Sequence, residues 1–174
     1  MTTSFKMVLL LLALPAAGHA QFTCTTNNGT LTITGYDGPA GAVSIPAAIN
    51  GLPVTSIGNK AFGSCTTLTN VTIPNSITTI GQGAFYFCTN LTSVTIGTGV
   101  TSIGQDVFCY CWSLTSVTIP TSVTSIGDHA FYDCTGLTNL TIPTSVTSLG
   151  DHAFSFCAHL TGVTIPNCVT NCVW

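Results

Sequence analysis

Residues 91–113 run Leu91-Thr92-Ser93-Val94-Thr95-Ile96-Gly97-Thr98-Gly99-Val100-Thr101-Ser102-Ile103-Gly104-Gln105-Asp106-Val107-Phe108-Cys109-Tyr110-Cys111-Trp112-Ser113, and Leu114 starts the pattern again. The period is 23 residues: Ile57-Gly58, Ile80-Gly81, Ile103-Gly104, Ile126-Gly127 and Leu149-Gly150 are spaced by it. Phe62, Phe85, Phe108, Phe131 and Phe154 keep the same step, as do Cys65, Cys88, Cys111, Cys134 and Cys157. So do Leu68, Leu91, Leu114, Leu137 and Leu160. Five units in register without an insertion specify a repeat architecture.

Each unit combines segments of different period. Val94 and Ile96 alternate with polar residues, which predicts a half-buried strand. Pro74, Gly97, Pro120, Pro143 or Pro166 ends it. A second extended stretch follows, such as Ser122-Val123-Thr124-Ser125-Ile126. Ala84, Phe85, Cys88 and Leu91 then fall at i, i+1, i+4 and i+7, which predicts a helical turn or short helix laid on the core. The glycine after each Ile is expected to take the tight corner.

One unit cannot bury its own apolar side, but stacked units cover one another. The expected fold is therefore an α/β repeat solenoid. Its parallel sheet has six rungs, centred on Val43, Val71, Val94, Val117, Leu140 and Val163. At the spacing of paired strands that sheet is roughly 25–30 Å long.

The 174 residues are 45% apolar and 4% charged, against roughly 25% charged in an ordinary soluble domain. The only basic residues are Lys6 and Lys60, so no basic groove for nucleic acid is available. A charged helical bundle is excluded on the same ground, and the apolar content argues against disorder.

The pattern Leu-x-x-Val-x-Ile-Pro…Ile-Gly-x-x-Ala-Phe-x-x-Cys resembles the BspA-like leucine-rich repeat, a class found in secreted and surface proteins, largely bacterial. The resemblance is close over 57–170 and loose over 43–56. It implies a right-handed horseshoe with the parallel sheet on the concave side and short strands and helical turns on the other. It also implies surface adhesion or protein binding for some members, and does not imply an enzyme; the chain is read as a non-enzyme.

Both ends depart from the repeat. Residues 1–20 form a secretory signal: Lys6, a short apolar run over 7–14, Pro15, then Gly18-His19-Ala20 with cleavage after Ala20. The run is shorter than the roughly 20 residues a membrane span needs. Residues 21–56 are expected to be an N-terminal cap and partial repeat, with a hairpin turning at Asn28-Gly29 between alternating stretches 22–26 and 30–36. Residues 57–174 carry the repeats, the last one incomplete. No polar capping segment follows Pro166, and an uncapped edge favours self-association or marks a piece of a longer array.

No catalytic set, phosphate loop or nucleophile elbow is evident, and no cofactor is expected. The ladder cysteines are read as reduced core packing, although adjacent rungs are within disulfide reach. The pairing of Cys24, Cys109, Cys168 and Cys172 is left open by spacing alone. Asp128-His129 and Asp151-His152 repeat one rung apart, as metal ligands or as solvated corners copied with the repeat. No Cys-x-x-Cys pair is matched by a second one, so a zinc site is not expected.

Threonine forms three columns: Thr69 with Thr92, Thr115, Thr138 and Thr161; Thr72 with Thr95, Thr118, Thr141 and Thr164; Thr78 with Thr101, Thr124, Thr147 and Thr170. Stacked Thr supports strands. The second column should face solvent beside Asn70, Ser93, Ser116, Asn139 and Gly162, giving a neutral surface for a protein or glycan ligand. The candidate ligand residues are therefore Asn70, Thr72, Ser93, Thr95, Ser116, Thr118, Asn139, Thr141 and Thr164. The competing readings are ice or mineral-surface binding by the Thr array, and a passive segment of a larger surface protein.

Overall fold

A computed structural model describes residues 7–8 and 22–165. The signal and cleavage reading, apart from residues 7–8, and the C-terminal Pro166 to Trp174 with Cys168 and Cys172, lie outside the described residues.

The repeats build a β-solenoid of about six turns. Each turn contributes one strand to a first sheet: β4 (Gly41–Ser44), β7 (Leu68–Thr72), β9 (Ser93–Thr95), β11 (Ser116–Thr118), β13 (Asn139–Thr141) and β15 (Gly162–Thr164). All bonded pairs among them are parallel, and Val43↔Val71, Val71↔Val94, Val94↔Val117 and Leu140↔Val163 stand opposite each other. The bonded ladder runs β4-β7-β9-β11 and resumes as β13-β15. β11 and β13 still lie side by side at that boundary.

A second face carries the short strands β6 (Leu52–Ile57), β8 (Thr79–Ile80), β10 (Ser102–Ile103), β12 (Ser125–Ile126) and β14 (Ser148–Leu149). These pair in parallel in two ladders, β6-β8 and β10-β12-β14, with Ile57↔Ile80, Ile103↔Ile126 and Ile126↔Leu149 in register. At the N-terminal end the face is extended by β2 (Phe22–Asn27) and β3 (Thr30–Tyr36), an antiparallel hairpin whose second strand pairs with β6. Asn28 and Gly29 both have positive φ, +48° and +80°, the mirror-image turn that suits strand twist. A two-residue strand β1 (Met7–Val8) pairs with β2.

A second small hairpin, β5 (Ala48–Ile49) against the start of β6, was not foreseen. It turns at Asn50 (+52°) and Gly51 (+77°), the same Asn-Gly signal in the stretch that appears only as a lengthened repeat in the sequence.

The expected helical turns are not there: no helix occurs among the described residues, so the fold is a β-solenoid rather than an α/β one. The segment from Gly58 to Leu68 is a run of tight turns. Ala61, Gly63, Cys65 and Leu68 donate their N–H three residues back, to Gly58, Lys60, Phe62 and Cys65. The N–H groups between them point the other way along the stack: Lys60 donates to Gln82 O (3.0 Å), Phe62 to Ala84 O (2.8 Å) and Ser64 to Tyr86 O (2.7 Å). A helix would consume all of these N–H groups internally. It would also require negative φ throughout, whereas Lys60 (+53°) and Ser64 (+60°) are left-handed. The rung-to-rung bonds recur from Gly83, Phe85 and Phe87, from Asp106, Phe108 and Tyr110, and from His129, Phe131 and Asp133, so the polar backbone of these turns is satisfied by the next rung.

The glycines after Ile also have a different task from the one expected. Gly81 and Gly127 are not among the residues at positive φ. A Cβ on Gly81 would lie 2.5 Å from the backbone N of Asn59, and one on Gly127 2.9 Å from the N of Gln105. They permit close approach of one rung to the previous one rather than a special corner.

The core runs unbroken along the stack. Phe62, Phe85, Phe108 and Phe131 are completely buried. With Phe154 they form one column of near-parallel rings, 4.9, 5.4, 5.3 and 5.3 Å apart. Phe22 and Tyr36 of the hairpin strands close its end, 6.3 and 5.3 Å from Phe62.

Candidate functional site

Beside the phenylalanines stand the ladder cysteines, all free. Four of the five thiols donate to the Phe carbonyl one rung back: Cys88 to Phe62 O (3.1 Å), Cys111 to Phe85 O (3.2 Å), Cys134 to Phe108 O (3.1 Å) and Cys157 to Phe131 O (3.1 Å); Cys65 reaches Tyr36 O of the hairpin at 3.8 Å. The same Phe62 carbonyl also accepts the Cys65 N–H at 3.1 Å. Cysteine is thus both a small core residue and a donor to a carbonyl's second lone pair, a role spacing alone did not reveal. Burial pushes the Cys65 and Cys157 thiols up to about 11, and Cys111 and Cys134 also rise, with burial again the largest cause. They are held as thiols, the unreactive form.

Two of the three Thr columns have structural tasks. Thr92 and Thr115 donate their hydroxyls to Thr69 O (2.9 Å) and Thr92 O (3.0 Å). Thr78 and Thr124 donate to Thr55 O (3.3 Å) and Thr101 O (3.2 Å). Thr72, Thr95, Thr118, Thr141 and Thr164, by contrast, are all exposed on the first sheet.

The candidate ligand residues therefore share one face. Asn70↔Ser93 and Ser93↔Ser116 are paired, as are Thr72↔Thr95 and Thr95↔Thr118, and Thr141↔Thr164 continues the row beyond the ladder interruption. Asn70 Nδ2 donates to Ser93 Oγ at 2.6 Å, and Asn139 Nδ2 to Thr138 Oγ1 at 3.4 Å. No charged side chain belongs to these strands, so the face offers hydroxyls, amides and methyls only.

The Asp-His pairs are part of the stacking. Asp128 Oδ1 accepts the Asp151 N–H at 2.9 Å, as Asn59 Oδ1 accepts that of Gln82 at 3.0 Å. The His129 and His152 rings lie 5.4 Å apart, and among the described residues no three His, Cys, Asp or Glu converge as a metal site would require.

A second surface escaped the sequence reading. On the turn side, Tyr86, Phe87, Tyr110, Trp112, Tyr132 and Phe156 form a continuous ribbon of ring contacts 5.1–6.3 Å apart. Trp112 is 42% exposed and Phe156 68%. Phe87, Tyr110 and Phe156 occupy the left-handed position of their turns (+61°, +61°, +62°), where Ser64 and Asp133 stand in other rungs. The signal was the 23-residue step itself, which puts three bulky rings in a column outside the core.

Compared with known proteins, residues 55–172 match the BspA type leucine-rich repeat region in six copies. A leucine-rich repeat protein of T. pallidum is 36% identical, with TM-score 0.80, covering 83% of this chain and 69% of that one. One from Bacteroides ovatus is 32% identical, TM-score 0.75, covering 88% of this chain and 41% of that one. One from Bacteroides capillosus is 29% identical, TM-score 0.52, covering 85% and 94%. No curated protein matches.

Proposed function

We propose, from the premise that this chain belongs to the BspA-type leucine-rich repeat family, that it is a secreted or cell-surface scaffold for recognition or adhesion. It is a binding protein and not an enzyme, exported by its first twenty residues and capped by 21–56. Its ligand, a protein or a glycan, lies on the first sheet, taken as the concave side of a right-handed horseshoe.

One observation carries this reading. From β7 to β15 the core column stays Val or Leu and the outward residue after it stays Thr, with Ser44 in that place on β4. The column one residue before the core column varies as Asn70, Ser93, Ser116, Asn139 and Gly162. A constant frame with a variable polar row suits ligand selection by shape and hydrogen bonds. Ice binding is less well supported, because two Thr columns already spend hydroxyls on neighbouring carbonyls.

The test is binding of the full chain to a glycan array and to immobilised extracellular-matrix proteins, with Thr95→Lys and Thr118→Lys combined. Loss of a wild-type interaction in the variant supports the sheet as the ligand face. An interaction that survives both substitutions unchanged refutes that placement.

A further inference from the structure

The aromatic ribbon stacks ring against ring along the turn face, outside the core. The core column of Phe62 to Phe154 is complete without it, and Trp112 and Phe156 present much of their rings to water. Three of its rings stand where the backbone is left-handed, a conformation that disfavours bulky side chains.

The ribbon is also acidic. Four of the five aspartates, Asp106, Asp128, Asp133 and Asp151, belong to the same turns. Their partners are neutral donors: Gln82 Nε2 on Asp106 (3.3 Å), the Asp151 N–H on Asp128 (2.9 Å) and Trp112 Nε1 on Asp133 (3.0 Å). The carboxylate charges are therefore not compensated by these contacts. The only Lys or Arg after residue 6 is Lys60, and its Nζ sits 5.9 Å from the centre of the Tyr86 ring, at the ribbon's N-terminal end. The chain itself thus shows a cation resting on this surface.

We propose that the turn face over residues 82–156 is a second binding surface, and that it takes an arginine-bearing peptide segment of a protein partner. A guanidinium stacks on Trp and Tyr faces through the ring quadrupole, and can pair with a carboxylate in the same plane. Trp112 hydrogen-bonded to Asp133 offers both groups at one point. Tyr, Trp and Arg are also the residues that dominate protein interfaces. This surface is separate from the neutral sheet face and stands or falls independently of it.

The test is fluorescence anisotropy of a short labelled Arg-Ser repeat peptide titrated with the full chain at low salt. The control peptide has citrulline in place of arginine. Trp112→Ala, Phe156→Ser and Asp133→Asn are each expected to weaken the Arg peptide, roughly 2- to 30-fold for loss of a ring-cation contact. Trp112→Phe should retain most of the binding, and Thr118→Ala on the sheet should leave it unchanged. Phe156→Ser removes a ring mostly in water, so it reports on binding even if Trp112→Ala unfolds. Equal binding of the citrulline peptide overturns the proposal. So does an Arg peptide indifferent to Phe156→Ser and Asp133→Asn, or cellohexaose occupying this face where the Arg peptide does not.

Discussion

Replacing Phe108 by Ala removes the centre of the ring column. Phe108 has no exposed surface and touches rings on both sides, Phe85 at 5.4 Å and Phe131 at 5.3 Å. Truncating a buried Phe costs about 3–5 kcal/mol, and a site that cannot collapse sits at the top of that range. Collapse is resisted here because the Phe108 N–H is fixed to Ala130 O at 2.8 Å and its carbonyl holds the Cys134 thiol at 3.1 Å. Phe154, half-buried and in contact with one ring of the column, should lose only about 2 kcal/mol. The Phe108 site also lies beside the boundary where the first-sheet ladder stops at β11 and resumes at β13. Packing therefore carries more of the coupling there, and a repeat array with a weakened internal interface unfolds in parts. Urea denaturation followed by far-ultraviolet circular dichroism should show a large loss and two separated transitions for Phe108→Ala. Phe108→Leu should keep one transition and most of the stability. Equal losses for Phe108→Ala and Phe154→Ala would refute the idea that the column couples the rungs.

Ser76 Oγ is buried without a partner, whereas Ser122 and Ser145 at the same repeat position donate to Val100 O (2.6 Å) and Val123 O (2.7 Å). Ser76→Ala should stabilise by about 1 kcal/mol and Ser122→Ala destabilise by about as much, measured by denaturant midpoints. Gly81→Ala should cost about 1–3 kcal/mol because its Cβ meets Asn59 N, while Gly104→Ala, whose nearest neighbour is 3.7 Å away, should be tolerated. The buried thiols set a pH dependence. Their pKa is raised in the folded chain, to about 11 at Cys65 and Cys157 and about 12 at Cys109, so the unfolded chain ionises first. Stability should be level below about pH 9 and fall from there to about pH 12; an unchanged melting temperature across that window would contradict buried neutral thiols. Intact mass of the exported protein should correspond to a chain beginning at Gln21, and retention of residues 1–20 would overturn the signal reading.

The strands were legible because Val94 and Ile96 alternate, and alternation has one structural meaning at that length. The hairpin at Asn28-Gly29 was legible for the same local reason, and Asn50-Gly51 carried an equal signal that the repeat pattern overshadowed. The turn segment misled because Ala84, Phe85, Cys88 and Leu91 have helix spacing. Stacked tight turns bring the same positions to the core. What separates the two is the left-handed backbone at Phe87 (+61°), and phenylalanine is the last residue to advertise it. The sheet face was placed by period alone. The thiol-to-carbonyl contacts join residues 26 apart in sequence, beyond any local pattern. Of the aromatic ribbon Phe87, Tyr110 and Phe156 share one column of the 23-residue step, and Tyr86, Trp112 and Tyr132 join them through the stacking of the turns.

The alternating direction of the turn N–H groups has a mechanical consequence. Bonds from Phe62 to Ala84 and from Phe85 to Val107 run along the axis of the stack, so a pull between its ends loads the rung interfaces in series and the weakest yields first. Each rung that yields releases 23 residues, about 80 Å of extended chain. A tether built this way lengthens in even increments under tension, dissipating work at every step while the remaining rungs stay folded, and a force-extension trace with that spacing is its signature.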